Sequence, residues 1–145
     1  MPTSLKLKIS FRHVFITTIP DTLENNTLYI SIPYNTVLHK CACGCGEEVS
    51  TPLSPSDWKI SYNGESVTLD PSIGNWSYKC RSHYFIRDNQ VIWASDWSQK
   101  YINESRKFHE QIRQHKHKGS VEYNAPAEHT TKQNKIKQFF KRFFQ

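Results

Sequence analysis

The residues with the clearest chemistry are the cysteines. Three stand in Cys41-Ala42-Cys43-Gly44-Cys45-Gly46 and the fourth opens Cys80-Arg81-Ser82-His83, with His39 two residues ahead of the first. Thiolate and imidazole donors in a tetrahedral shell suit zinc best. Residues two apart share a face of a strand, so His39, Cys41 and Cys43 begin on one side before the glycines bend the chain. Cys80-x-x-His83 has the spacing of a ligand pair. The candidate zinc ligands are therefore Cys41, Cys43, Cys45, Cys80 and His83, with His39 as a further ligand or a general base. These donors exceed the four that one zinc takes. A closed four-ligand shell would staple a small fold. An open three-ligand shell would bind water, lower its pKa towards about 7 and support hydrolysis. Both readings stand at this level. Disulfides are the less favoured use of the thiols, because three at alternating positions pair poorly with one another and no signal peptide is evident at the N-terminus.

Glu47 and Glu48 directly follow the last clustered cysteine, where a carboxylate can act as general base on a metal-bound water or sit as an ordinary turn residue. Asn75, Trp76 and Ser82 are candidates for contact with substrate, Trp76 because it lies next to Gly74-Asn75 and four residues before Cys80. The other tryptophans, Trp58, Trp93 and Trp97, are expected to fill the core of a small β domain.

Leu5, Leu7, Ile9 and Phe11 alternate with polar residues, the period of a half-buried strand. Leu28–Ile32 and Thr36–Cys41 are β-branched and aromatic enough for two more. The stretch through Gly44, Gly46, Pro52 and Pro55 reads as loop. Trp58–Tyr62 and Ser66–Leu69 flank Asn63-Gly64, the signal for a hairpin with a type I′ turn. Pro71–Trp76 reads as an irregular connection, and a second hairpin is expected between Tyr84–Ile86 and Val91–Ala94. Past Trp97, Tyr101, Ser105, Phe108 and Ile112 recur at helical spacing, predicting an amphipathic helix over 98–117 that stops near Gly119. The fold class is α+β, mainly β: a small antiparallel β domain over 1–98 stapled by a zinc site, an amphipathic C-terminal helix over 99–119, a linker over 120–133 and a basic, aromatic tail segment over 134–145.

Charge is distributed unevenly. Residues up to Ser98 carry a net −1 and Gln99–Gln145 carry +7, so the basic excess of the 145-residue chain lies wholly in its last third. That pattern argues for a near-neutral body with a basic appendage rather than a nucleic-acid-binding domain. With 37% hydrophobic residues and no run near the roughly 20 apolar residues of a spanning helix, a membrane-spanning protein is excluded. A cytoplasmic protein is expected, with weak contact between the tail and a membrane surface as a competing role for the appendage.

The string from His39 to Gly46, then Thr51-Pro52-Leu53-Ser54-Pro55 and Trp58, Pro71-Ser72-Ile73-Gly74-Asn75-Trp76, Cys80-Arg81-Ser82-His83-Tyr84 and Trp93-Ala94 resembles the bacterial domain-of-unknown-function family 6527. The resemblance implies association with bacterial ubiquitin-like conjugation operons and a peptidase that trims or removes the ubiquitin-like partner. On that expectation a zinc-bound hydroxide attacks the scissile carbonyl, Glu47, Glu48 or His39 moves protons, and Asn75 or a backbone N–H steadies the oxyanion. Thiolate ligands weaken zinc as a Lewis acid, which keeps two alternatives open: a cysteine nucleophile paired with His39 or His83, and a zinc-stapled adaptor that binds a conjugation partner without cleaving it.

Overall fold

The computed structural model describes residues 8–118. The expected linker and basic tail segment, and the start of the N-terminal alternation, lie outside them.

Among the described residues, eight strands form two four-stranded sheets. The first holds β1 (Arg12–Phe15), β2 (Thr27–Ser31), β3 (Thr36–Lys40) and β4 (Glu48–Pro52) in that order; the second holds β5 (Lys59–Tyr62), β6 (Val67–Gly74), β7 (His83–Arg87) and β8 (Gln90–Trp93). Neighbours are antiparallel except β1 and β2, which run parallel. The alternation seen in sequence puts Leu28, Ile30, Val37 and Val49 of the first sheet into one core with Val67, Leu69, Ile73, Tyr84, Ile86 and Val91 of the second. Each such aliphatic side chain, fully buried, is worth about 1.5–3 kcal/mol. Phe11 joins the core just before β1, where Ser10 bridges Gln90 and ties the N-terminal segment to the second sheet.

Two turns differ from expectation. The loop after β5 holds four residues, Asn63 to Ser66, and only Gly64 has a positive φ, at 96°. The Asn63 side chain accepts from the N–H groups of Glu65 and Ser66, and this Asx geometry replaces the expected type I′ turn. The two-residue turn with both residues at positive φ occurs instead between β7 and β8, at Asp88 (47°) and Asn89 (63°). Strand β4 occupies what reads as loop. Its Pro52 is tolerated because it ends an edge strand, where no ladder N–H is required.

Helix α1 runs over Gln99–Lys118, and the compact unit that carries both sheets extends to Glu110. Ser98 opens the helix, its hydroxyl accepting from the Tyr101 N–H. Among the described helical side chains the deepest is Ile102, one position beyond the expected stripe. Among the described residues, no helix is long and apolar enough to cross a membrane.

Asn89 joins three segments. Its carbonyl accepts from the Phe11 N–H, its Oδ1 accepts from the Val67 N–H at 2.8 Å, and its Nδ2 donates to His13 Nδ1 at 2.9 Å. Asn89→Ala removes both side-chain bonds, each worth about 1 kcal/mol, and places an alanine in the left-handed region. Asn89→Gly removes the bonds alone. Thermal unfolding should rank wild type above the glycine variant and that above the alanine variant; coinciding midpoints would contradict the assignment.

Candidate active site and metal centre

Two loops, one from each sheet, meet at the cysteines. The β3–β4 loop carries Cys41, Cys43 and Cys45 and is closed by Cys41 N–H to the Glu47 carbonyl (2.8 Å) and Gly44 N–H to the Cys41 carbonyl (3.1 Å). Gly44 and Gly46 adopt φ of 85° and 87°, the left-handed values that turn the chain back beneath its own thiols. The β6–β7 loop carries Cys80 and is closed by Asn75 N–H to the Ser82 carbonyl (2.9 Å). The Tyr78 hydroxyl donates to the Glu48 carbonyl and bolts one loop to the other.

The four sulfurs lie within 4.8 Å of one another and form the one group of three or more potential metal donors among the described residues. Cys41 to Cys43 is 3.4 Å, Cys45 to Cys80 is 3.8 Å and Cys41 to Cys80 is 3.9 Å. Four sulfurs about 2.3 Å from one tetrahedral ion stand roughly 3.8 Å apart, so the donor set fits a metal. Burial raises the thiol pKa of Cys41 and of Cys43. Burial pushes Cys80 the same way, but hydrogen bonds from the Ser82 side chain and backbone and from Cys43 and Cys45 outweigh it and bring the thiol down to about 7.

Beneath the sulfurs lies a buried polar network. Asn75 Nδ2 donates to Ser82 Oγ (2.9 Å), Ser82 Oγ is 3.0 Å from Cys41 Sγ, and both Asn75 Nδ2 and the Ala42 N–H reach the Tyr84 hydroxyl at 3.5 Å. That hydroxyl is 2.9 Å from His39 Nε2 across the two sheets. His39 has no solvent exposure, and burial holds its pKa down to about 3, so the ring is neutral. With no surface open to a substrate and Nε2 on the Tyr84 hydroxyl, it sits in the core, away from the ligand or base position expected for it. Asn75 and Ser82 likewise face the cysteines, not substrate. Glu47 and Glu48 are exposed on the loop and at the start of β4.

His83 stands apart from the cysteines. Its Nδ1 lies 2.6 Å from the Ser95 carbonyl, which only accepts, so Nδ1 carries the proton; Nε2 is left as the acceptor, 2.9 Å from Ser72 Oγ. Both ring nitrogens are thus engaged and none is free for a metal. Burial lowers the pKa of His83, opposed by the Ser95 carbonyl and by Asp96. The Asp96 carboxylate accepts from Arg81, which also donates to the Trp97 carbonyl, both at 3.1 Å, pinning the segment that supplies the Ser95 carbonyl. Trp76 and Trp97 flank the imidazole with ring centroids at 4.9 Å.

The stretch expected to be irregular is what delivers Ser72. Leu69 pairs with Ile86 and Ile73 with Tyr84, so three residues of β6, Asp70, Pro71 and Ser72, oppose Phe85 alone. Leu69 and Ile73 both point inwards, and the bulge lifts Ser72 onto the outer face that His83 shares. Sequence reasoning passed over Ser72, Ser95, Asp96 and the site role of Trp97; the signal available was a serine set between Pro71 and Gly74 in a β-rich stretch.

A family model described as bacterial ubiquitination-like system serine protease (BubE) matches residues 15–94, more than half of the chain. The chain belongs to that family. It is therefore a member of a protease family of a bacterial ubiquitin-like system, in agreement with the association with conjugation operons that its motifs suggest. Searches of curated proteins and of solved structures find no match. The matched span contains both Ser72 and His83 as well as all four cysteines.

Tyr84→Phe should test the network. The change leaves His39 Nε2, Asn75 Nδ2 and the Ala42 N–H short of a buried partner, at a cost of about 1–3 kcal/mol. Urea unfolding should show that loss; an unchanged midpoint would mean the hydroxyl carries none of the contact between the sheets.

Proposed function

We propose that the chain is a Ser–His peptidase that cleaves at the C-terminal tail of a ubiquitin-like protein, with Ser72 as nucleophile and His83 as general base. The observation that carries this is the 2.9 Å contact between Ser72 Oγ and His83 Nε2 with the opposite nitrogen held by the Ser95 carbonyl. It is the geometry of a nucleophile, a base and an orienting group. The Ser95 carbonyl fixes the tautomer that an aspartate fixes in a triad. Family membership supports a protease acting on a ubiquitin-like partner or its conjugates. A cytoplasmic setting suits the four free thiols, which remain reduced and available to a metal there.

Ser72 Oγ attacks the scissile carbonyl as its proton passes to His83 Nε2. The imidazolium then returns that proton to the leaving amine, and water reverses the sequence to release the acyl group. Cys41, Cys43, Cys45 and Cys80 would hold zinc, which in an all-thiolate shell supplies a structural link between the two loops. A closed shell of four thiolates leaves no open position and weakens Lewis acidity, so hydrolysis rests on the dyad rather than on a metal-bound water. An adaptor role without cleavage has no claim on a paired serine and histidine.

The test uses the full chain and a fusion carrying a ubiquitin-like protein upstream of a reporter. Ser72→Ala and His83→Ala should each lower kcat/KM by about 10³-fold or more while leaving metal content and folding unchanged. Cys80→Ser should lose zinc and thermal stability. Full activity in Ser72→Ala, or block by a thiol alkylator with zinc retained, would overturn the dyad. Since His83 acts as a base only when neutral and burial lowers its pKa, kcat/KM should fall with acid only below the ordinary histidine value of about 6.5. An acid limb centred above that value would contradict His83 as the base.

A further inference from the structure

The dyad supplies a nucleophile and a base, but the buried Asn75 amide, the side chain expected to steady the oxyanion, is turned towards Ser82, Cys41 and Tyr84. One side-chain donor does stand on the Ser72 face. Gly74 pairs with His83 across the ladder, and with Leu69 and Ile73 pointing inwards, Ser72, Gly74 and His83 share the outer face. A Cβ on Gly74 would stand 2.5 Å from Trp76 Cε2 and 2.7 Å from Cζ2, with Nε1 nearest of all. The nitrogen edge of the indole therefore rests directly on the Gly74 backbone, an approach that any other residue at position 74 would prevent.

The ring is held there on three sides. The His83 centroid is at 4.9 Å, Trp97 stacks at 5.4 Å with 24° between planes, and the Arg81 guanidinium lies 5.5 Å over its centroid. Trp76 is half-buried, and among the described residues its Nε1–H has no acceptor. A clamped, unspent donor on the nucleophile's face is what electrostatic catalysis of acyl transfer requires.

We propose that Trp76 is a catalytic residue whose indole N–H donates to the oxyanion formed when Ser72 attacks an acyl carbonyl. The inference rests on the Ser72–His83 reading and adds its missing electrophilic group. Two residues along a strand span about 6.6 Å, which leaves room between Ser72 Oγ and the N–H over Gly74 for a carbonyl carbon and its oxygen. As the Oγ–C bond forms, the carbonyl π pair moves onto oxygen and the indole N–H bonds to it. The pair then re-forms the carbonyl and expels the amine, which takes the proton held by His83. No redox partner or further reactant enters.

The probes are p-nitrophenyl acetate, whose acyl group transfers to Ser72 with release of nitrophenolate, and phenylboronic acid, which forms a tetrahedral adduct on a serine hydroxyl. Trp76→Phe keeps the aromatic wall and removes the N–H. Its acylation rate should fall about 10²-fold at unchanged pH midpoint. In the wild-type chain, phenylboronic acid should move the Trp76 indole proton resonance downfield, and in Ser72→Ala it should not. The resonance experiment needs no tryptophan variant to fold. Acylation by Trp76→Phe within twofold of wild type, or an indole proton that ignores the adduct, overturns the role of Trp76 and leaves the dyad standing. Equal acylation of wild type and Ser72→Ala removes the dyad and this proposal with it.

Discussion

The register slip between β6 and β7 is the constraint on which the site depends. In an unbroken ladder Leu69 and Ile73, four apart on β6, would face residues four apart on β7; here they face Ile86 and Tyr84, two apart. The core enforces this, because all four of those side chains are buried inwards. The surplus residues must leave the ladder. They bow outwards, and Ser72 arrives at His83 with its hydroxyl aimed at the free lone pair of the imidazole. Ser72 is thus positioned by the requirement that its neighbours stay in the core, at little cost to the rest of the sheet.

The cysteines and the dyad occupy opposite sides of the same short loop. Between Cys80 and His83 the chain passes Arg81, whose φ of 45° turns it, so Cys80 faces the sulfur group while His83 faces outwards under Trp76 and Trp97. Ser82 between them belongs to the buried network that runs through Asn75 and Tyr84 to His39. A metal on the four thiols would fix the base of this loop and thereby the start of β7, where His83 sits. The arrangement separates two groups: sulfur and buried polar side chains on one face, and the Ser72–His83 pair proposed for the chemistry on the other.

That separation explains what was legible in the sequence. The cysteines were, because four thiols in a chain with 37% hydrophobic residues are too many for inert packing. The β-rich class, both hairpins and the helix followed from alternation, turn residues and 3.6-residue spacing. The ligand assignment of His83 did not survive contact with the geometry, since Cys80-x-x-His83 has ligand spacing but the left-handed Arg81 points the two side chains apart. Ser72 was hidden for a different reason. Serine is common, and its role depends on a bulge set by long-range registration of Leu69 and Ile73, which no local pattern encodes. Strand β4 was obscured by Pro52, which signals a break in sequence but is harmless at the end of an edge strand.

If Ser72 is the activated nucleophile, a fluorophosphonate reports it directly. After exposure of the full chain to that reagent, peptide mass mapping should place one adduct on Ser72, and His83→Ala should lose it. An adduct on a cysteine or on another serine, or labelling of Ser72 that persists undiminished without His83, would contradict that role.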